Sequence, residues 1–513
     1  MATPALDAQQ TSHEPTQQRA AGWREWGGLG VLVLAVVLLA VDATVLALAV
    51  PALTADLGAT SNQVLWIGDI YSLALAGLLV TMGNVADRIG RKRLLLLGTA
   101  AFGLASLGAA LSPSAEVLIA ARLLLGVAGA TLMPSTLSLI RGIFSVPRQR
   151  TLAIAIWSAG ASGGAALGPL VGGALLEHFW WGSVFLINLP VVAVLLLAGA
   201  WLLPESKNPS PGPIDLRSVV LSLVGLVAAV YAVKHLAHEG PDAVVVLSGA
   251  VGVLGLVGFV RRQRRLEHPL IDVELFRSKA FSGAVAVNFA SVFPLMGLLF
   301  FFSQYLQLAR GSSPLQAGLQ EAPLMLSAIG AIAVIGLLLP RLGAGRTAAA
   351  GLLAASVGLV LLAVAEGASS YLWLALTLVP IGLGVGLSQT VAVDAVVSAV
   401  PSERAGAASS ISETAYELAA ALGIALLGSL LGVVYRAGLD LPVGTDPAVA
   451  AAAGDSLAGA RAAAGAEGPA FEAAREAFVH AMQVTSLTAA VITAVAAVLA
   501  WRMIPARLSG AAH

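Results

Sequence analysis

The chain has 513 residues, 58% of them hydrophobic and only 11% charged, with a mean hydropathy of +0.89. Soluble domains carry about 25% charged residues, so this composition is built for lipid. The absence of cysteine excludes disulfides, thiol catalysis and cysteine-held metals, and a net charge of zero leaves no bulk field to recruit nucleic acid.

Residues 1–27 begin polar and Gln/Thr-rich without an apolar core, so a disordered cytoplasmic tail is expected rather than a signal peptide. A membrane-spanning helix needs about 20 mostly apolar residues. That rule places fourteen helices near 28–51, 64–83, 93–112, 117–140, 151–176, 183–203, 217–236, 243–261, 280–306, 317–340, 346–365, 371–398, 404–434 and 482–504. An even number puts both termini on one side. With the N-terminus inside, 22 of the 28 Lys and Arg fall in inner segments, and Lys234, Arg310, Arg436, Arg461 and Arg475 fall outside. This bias predicts cytoplasmic termini in a multi-pass protein of the cell membrane. Arg122 is the one base expected within a span.

Helix 1 carries Asp42 ahead of Pro51. A carboxylate near the middle of a membrane helix costs about 3 kcal/mol on insertion scales and is a functional residue by default. Burial penalises its charged form, which suits a group that gains and loses a proton; the alternative is an acid tied structurally to arginine or backbone. In helix 2, Trp66-Ile-Gly-Asp69-Ile-Tyr71 puts Asp69 about 21 Å above Gly83, in the outer half, as a candidate exit-side acid with Trp66 beside it. The turn Gly83–Arg93, GNVADRIGRKR, packs Asp87, Arg88, Arg91, Lys92 and Arg93 between two apolar runs, and Gly83 and Gly90 permit close approach. Arg122 stays charged when buried, so it can drive proton release from a neighbour or serve as a structural partner.

Helix 5 holds Gly164, Gly168, Pro169, Gly172 and Gly173. Small residues at four-residue spacing let helix backbones touch, and Pro169 removes a backbone donor and bends the helix. The basic segment 261–279 suits an anionic inner leaflet. Trp157, Phe300, Phe301, Phe302 and Gln304 are candidates for a cavity wall. Gly336, Arg341, Gly343 and Arg346 repeat the spacing of Gly83, Arg88, Gly90 and Arg93, with Pro340 in the place of Asp87. Asp394 lies near the inner end of helix 12, as a site acid or a snorkelling one. Helix 13 sets Glu413 and Glu417 one turn apart, with Tyr416 adjacent. Two acids and an aromatic ring supply the charge compensation and π-face that a lipophilic cation requires. In the long outer loop 436–480, Phe471, Ala474 and Phe478 share one face of a short helix, a passive cap or a gate.

Several of these strings resemble the major facilitator superfamily. Gly83–Arg93 fits its signature loop at every position but Val85, where Leu is usual. The helix-5 string resembles the motif of its antiporters. The stretch around Asp42 resembles the first-helix motif of its fourteen-helix drug:proton antiporters, with Ala47 and Val50 in place of the usual Asn and Leu. Arg122 and Gly126 match an R-x-x-Q-G motif in which Leu125 replaces Gln, and Glu413–Glu417 resembles the acidic patch of quaternary-ammonium and dye exporters, with Ser412 where some carry a further acid. The resemblance implies an all-α fold of two six-helix bundles, 28–205 and 280–505. Helices 7 and 8 with a linker would form an insertion over 206–279, and 506–513 an inner tail. It implies a monomeric proton-coupled antiporter of lipophilic cations in contact with membrane lipid, needing no cofactor. Proton coupling would fall to Asp42 and Arg122, and substrate binding to Asp69, Glu413, Glu417, Tyr416, Trp66 and Phe301. Conformational change would fall to Gly83, Asp87, Arg88, Gly90, Arg91, Gly164, Gly168, Pro169 and Gly172, with Asp87 pairing to arginine across the inner seam. A dedicated exporter of one antibiotic or metabolite is the alternative, and an uptake symporter or a membrane enzyme is further off. No G-x-x-x-x-G-K-[ST] nucleotide loop is present.

Overall fold

The computed structural model describes residues 21–207, 215–267, 269–400 and 405–505. Fourteen helices among them are long and apolar enough to cross a membrane. They are α1 Trp23–Leu57, α2 Ser61–Ile89, α3 Arg91–Ala110, α4 Ala115–Ile143, α5 Pro147–His178, α6 Ser183–Leu202 and α7 Leu216–Glu239. The series continues with α8 Ala243–Gln263, α9 Lys279–Ala309, α10 Pro314–Leu342, α11 Ala344–Ala365, α12 Tyr371–Ser398, α13 Ala407–Gly438 and α14 Pro469–Met503. No strand occurs among the described residues, as expected where lipid cannot satisfy backbone polar groups and each helix must bond its own.

Two boundaries differ from the sequence reading. The expected tail 1–27 lies outside the described residues up to residue 20, and from Trp23 it is already helix. The expected tail 506–513 also lies outside them. The expected outer loop 436–480 is shorter, because α13 runs to Gly438 and α14 starts at Pro469. Between them stand two short helices, Pro447–Asp455 and Leu457–Ala464. Phe471, Ala474 and Phe478 do share a buried face, but on the first turns of α14, where Phe478 packs edge-on to Tyr435 of α13 at 6.3 Å.

Helices α1–α6 form one bundle and α9–α14 the other. Helices α7 and α8 pair with each other so closely that a Cβ on Gly225 would lie 2.8 Å from the Leu256 nitrogen, and one on Gly252 2.8 Å from the Ala229 nitrogen. Arg262 clasps Asp215, the residue before α7, at 2.7 Å, and hydrogen bonds from Arg262 pull that carboxyl down to about 2. The outer face of α8, with Val246, Leu247 and Leu254, is exposed and lipid-like. Through α7 this pair rests on α2, where Leu223 fills the space at Gly77.

The two loops read as repeats share a local geometry. Gly90 (φ 112°) and Gly343 (φ 78°) each end one helix and begin the next with a positive φ that side chains rarely adopt. Each nitrogen bonds four residues back, to Ala86 and Leu339, and each carbonyl accepts from four residues on.

The bundles meet at the end opposite the termini, called here the far end. There Gly318 of α10 lies against the Pro169 carbonyl of α5, and Gly173 against Pro314 and Leu315. Gln307 of α9 donates to the Leu48 carbonyl of α1 at 3.0 Å, and Asp455 accepts from the Ser61 nitrogen and hydroxyl. At the terminal end the charged loop bonds within its own bundle: Asp87 to Arg91 at 2.9 Å, Lys92 to the Ala200 carbonyl at 2.7 Å, and Arg93 to Glu205 at 3.7 Å. The molecule is therefore closed at the far end. A Cβ at residue 318 would stand 2.3 Å from the Pro169 oxygen, so Gly318→Leu must push α5 and α10 apart. Spin labels on Glu177→Cys and Leu315→Cys, in a chain with no native cysteine, should report a longer far-end distance in that variant. An unchanged distance distribution would contradict the closure described.

Candidate functional site

The glycine face of α5 determines where Asp42 sits. A Cβ on Gly164 would meet the Val37 carbonyl at 3.0 Å, one on Gly168 the Thr44 hydroxyl at 1.9 Å, and one on Gly172 the Val45 side chain at 2.5 Å. Helix α1 thus lies backbone-close against α5 and turns Asp42 inward, fully buried. One Asp42 oxygen accepts from Arg122 of α4 at 3.0 Å, the other from Asn188 of α6 at 2.9 Å. Asn188 also donates to Ser106 at 3.1 Å, and Arg122 donates to the Ile67 carbonyl at 3.2 Å. The Tyr71 ring lies 4.6 Å from the guanidinium carbon. Gly126 makes this possible, since a Cβ there would lie 2.4 Å from the Tyr71 carbonyl. The structure therefore brings together the two residues expected to handle protons. It adds Asn188, whose signal was a polar side chain in an apolar run just before Pro190.

Across the seam, α13 presents Glu413, Tyr416 and Glu417, each partly buried. Helix α13 packs here against α2, whose buried Ser72 lies on the side of Glu417. Asn288 of α9 holds this part of α13 by donating to the Ser412 carbonyl at 2.9 Å and hydroxyl at 3.1 Å. The acids of α13 and the Asp42–Arg122 pair thus form one polar centre shared by the two bundles.

Asp69 and Trp66 stand apart from it. Lys234, expected in the outer loop, lies inside α7 and its side chain is 1% exposed. Its ammonium is 2.7 Å from Asp69 and 3.7 Å from the Trp66 ring centroid. Arg122 is therefore not the one base within a span, and Asp69 is not a free acid in this state. Phe301 is buried, edge-on to Phe300 at 5.2 Å, and borders a far-end cavity, open in part to solvent, with Lys234, Gln304, Arg436 and Asp455. Phe302 stacks on Tyr305 at 5.8 Å, and Trp157 keeps a buried ring nitrogen without a partner.

In the charged loop Gly83 faces Pro134, while Arg88 is exposed. Asp87 bonds Arg91 four residues on, and among the described residues it makes no ion pair across the seam. Asp394 is exposed on α12. Two buried acids escaped the sequence reading: Glu366, which accepts from Ser486 at 2.9 Å, and Glu321 on α10, 2% exposed with one oxygen unpartnered. Each stood at the edge of an expected helix.

Removing one partner of a buried ion pair leaves a charge without compensation, at a cost of about 3–5 kcal/mol, whereas removing both is far milder. Arg122→Met should therefore lower the thermal unfolding temperature more than the double change Asp42→Leu with Arg122→Met, read by tryptophan fluorescence in detergent. Equal losses would mean that the pair is not what holds these helices.

A family model described as "Major Facilitator Superfamily" matches residues 32–424. The chain is 45% identical over 481 residues to "Multidrug efflux pump LfrA" of Mycolicibacterium smegmatis, covering 92% of this chain and 95% of that one. It is 39% identical over 438 residues to "Methyl viologen resistance protein SmvA" of Salmonella typhimurium, covering 85% and 88%. Among solved structures it resembles a bacterial homolog to the human lysosomal transporter Spinster, with a TM-score of 0.68 over 94% of this chain and 98% of that one. At 19% identity that likeness speaks for the fold alone. Family, relatives and fold are those of transporters rather than enzymes, and this chain of fourteen candidate spans belongs to the Major Facilitator Superfamily, among its multidrug efflux members.

Proposed function

We propose that the protein exports lipophilic cations, quaternary ammonium compounds and dyes among them, in exchange for protons, and so confers multidrug resistance. The observation that carries this reading is the buried Arg122–Asp42 pair of one bundle, 3.0 Å apart, with Glu413, Tyr416 and Glu417 of the other bundle on the helix packed against α2. A cation at Glu413 and Glu417, with the Tyr416 ring beside it, would compete with Arg122 for Glu417. Arg122 would then be freer to hold Asp42 ionised. A proton on Asp42 would instead release Arg122 toward Glu417 and help displace the cation. One guanidinium between two acids thus makes proton and cation mutually exclusive.

On the lysine and arginine bias, the terminal end faces the cytoplasm and the far end faces outside. The state described, closed at the far end, is then the one that loads substrate from inside. The names of the relatives support a drug substrate, and methyl viologen in one of them is itself a cation. The proton gradient of the cell membrane is the natural energy source, since the chain carries no nucleotide loop.

Energised cells loaded with ethidium test this reading. The unsubstituted protein should give efflux that a proton uncoupler abolishes, and Asp42→Asn, Glu413→Gln and Glu417→Gln should each reduce it at least tenfold at equal expression. No ethidium efflux by the unsubstituted protein would favour a dedicated exporter of one compound. Efflux that survives all three substitutions would sink the assignment of these acids.

A further inference from the structure

Helix α7 delivers a cation into a place with the make-up of a cation receptor. Lys234 and Asp69 are buried at 1% and 0% exposure, the ammonium 2.7 Å from the carboxylate and 3.7 Å from the Trp66 ring centroid. A carboxylate beside an aromatic face, set in an apolar wall, is the chemistry that recognises an alkylammonium or quaternary ammonium group. Tyr231 extends the aromatic wall, 6.4 Å from Trp66, with His235 stacked on it at 5.6 Å. A far-end cavity, open in part to solvent, adjoins the pair: Lys234 forms part of its wall together with Leu65, Phe301 and Leu431.

Helix α7 belongs to neither bundle, yet it touches both beside this cavity. The Lys234–Asp69 pair ties it to α2, and Arg436 of α13 donates to the Ala237 carbonyl of α7 at 2.6 Å. When the far ends of α2 and α13 separate, α7 cannot keep both partners in place. Opening also wets the cavity, and the attraction between two charges falls as the local dielectric rises. The ammonium of Lys234 rides on a flexible four-carbon stem, so it can swing into the cavity it already borders.

We propose that Asp69 and Trp66 form a second cation subsite, at the outer end of the export path, which Lys234 fills as a tethered surrogate and yields to a lipophilic monocation when that end opens. The ligand class rests on the export reading above; the occupancy by Lys234 does not. Because the surrogate is tethered, its effective concentration at Asp69 is on the order of millimolar or higher, enough to displace a weakly held cation outward. The inserted helices α7 and α8 thereby acquire a role: they carry the competitor that empties the exit.

Tetraphenylphosphonium binding to the purified full chain, measured by calorimetry, tests the subsite. Lys234→Gln should tighten binding at least tenfold or add a second binding event. Lys234→Arg, which keeps the tethered charge, should not, and the gain should vanish in Asp69→Asn with Lys234→Gln. A folded Lys234→Gln protein that binds like the unsubstituted one, or a gain that survives Asp69→Asn, overturns the proposal. Should Lys234→Gln fail to fold, acylation of Lys234 by acetic anhydride in the unsubstituted chain gives the answer. Saturating tetraphenylphosphonium should speed it several-fold, and an unchanged rate overturns the subsite. Binding that ignores Glu413→Gln with Glu417→Gln would count against the central site alone, leaving the Asp69 comparison intact.

Discussion

A guanidinium in the middle of a membrane protein has no water to solvate it and does not give up its proton, so the protein must supply every partner it needs. Arg122 finds them on two helices: the Asp42 carboxylate on α1, and the Ile67 carbonyl and Tyr71 ring on α2. Much of the surrounding packing follows from that demand. Gly126 brings α4 against α2, the α5 glycines bring α1 inward, and Asn188 occupies the Asp42 oxygen that Arg122 leaves free. A lysine would carry the charge, but it lacks the planar fork that spans a carboxylate on one helix and a carbonyl on another.

The same glycines set the state of the whole molecule. In lipid there is no hydrophobic drive between helices, so close van der Waals packing has to hold them together. On α5 the face of Gly164, Gly168 and Gly172 points at α1 of its own bundle, while Gly173 and the Pro169 carbonyl point at α10 of the other. One helix therefore fixes the internal geometry of a bundle with one edge and the seam between bundles with the next. Pro169 joins the two roles, because the carbonyl of this bent segment is what Gly318 packs against. A comparable approach recurs on the other side of the seam, where Gly423 of α13 lies so close to α9 that a Cβ would stand 2.2 Å from the Phe293 carbonyl.

Fourteen helices were legible because a span in lipid has one signal, sustained apolarity, and it needs no tertiary context. Single intramembrane charges were legible for the same reason: Asp42, Arg122, Glu413 and Glu417 stand out against apolar runs, and they converge. What the sequence could not convey is which charges satisfy each other across the fold. Lys234 sits within two turns of the end of α7, where a lysine reads as an interfacial anchor, and nothing in its neighbourhood announces that Asp69 lies opposite. Glu321 and Glu366 were overlooked for a similar reason, being near helix ends where acids are ordinary. Asp87 shows the opposite failure: the motif was legible, but its partner among the described residues is Arg91 of the same loop rather than an arginine across the seam.

Among the described residues two cations are buried within spans, Arg122 and Lys234, and each is matched to one acid, Asp42 and Asp69. Among the described residues Glu321, Glu413 and Glu417 form no such pair. A carboxylate away from water is tolerable only when it is protonated or beside a positive charge. On the proposed export reading, the positive charge at these glutamates would be a proton or a cationic solute, and the two would exclude each other at any one carboxyl group.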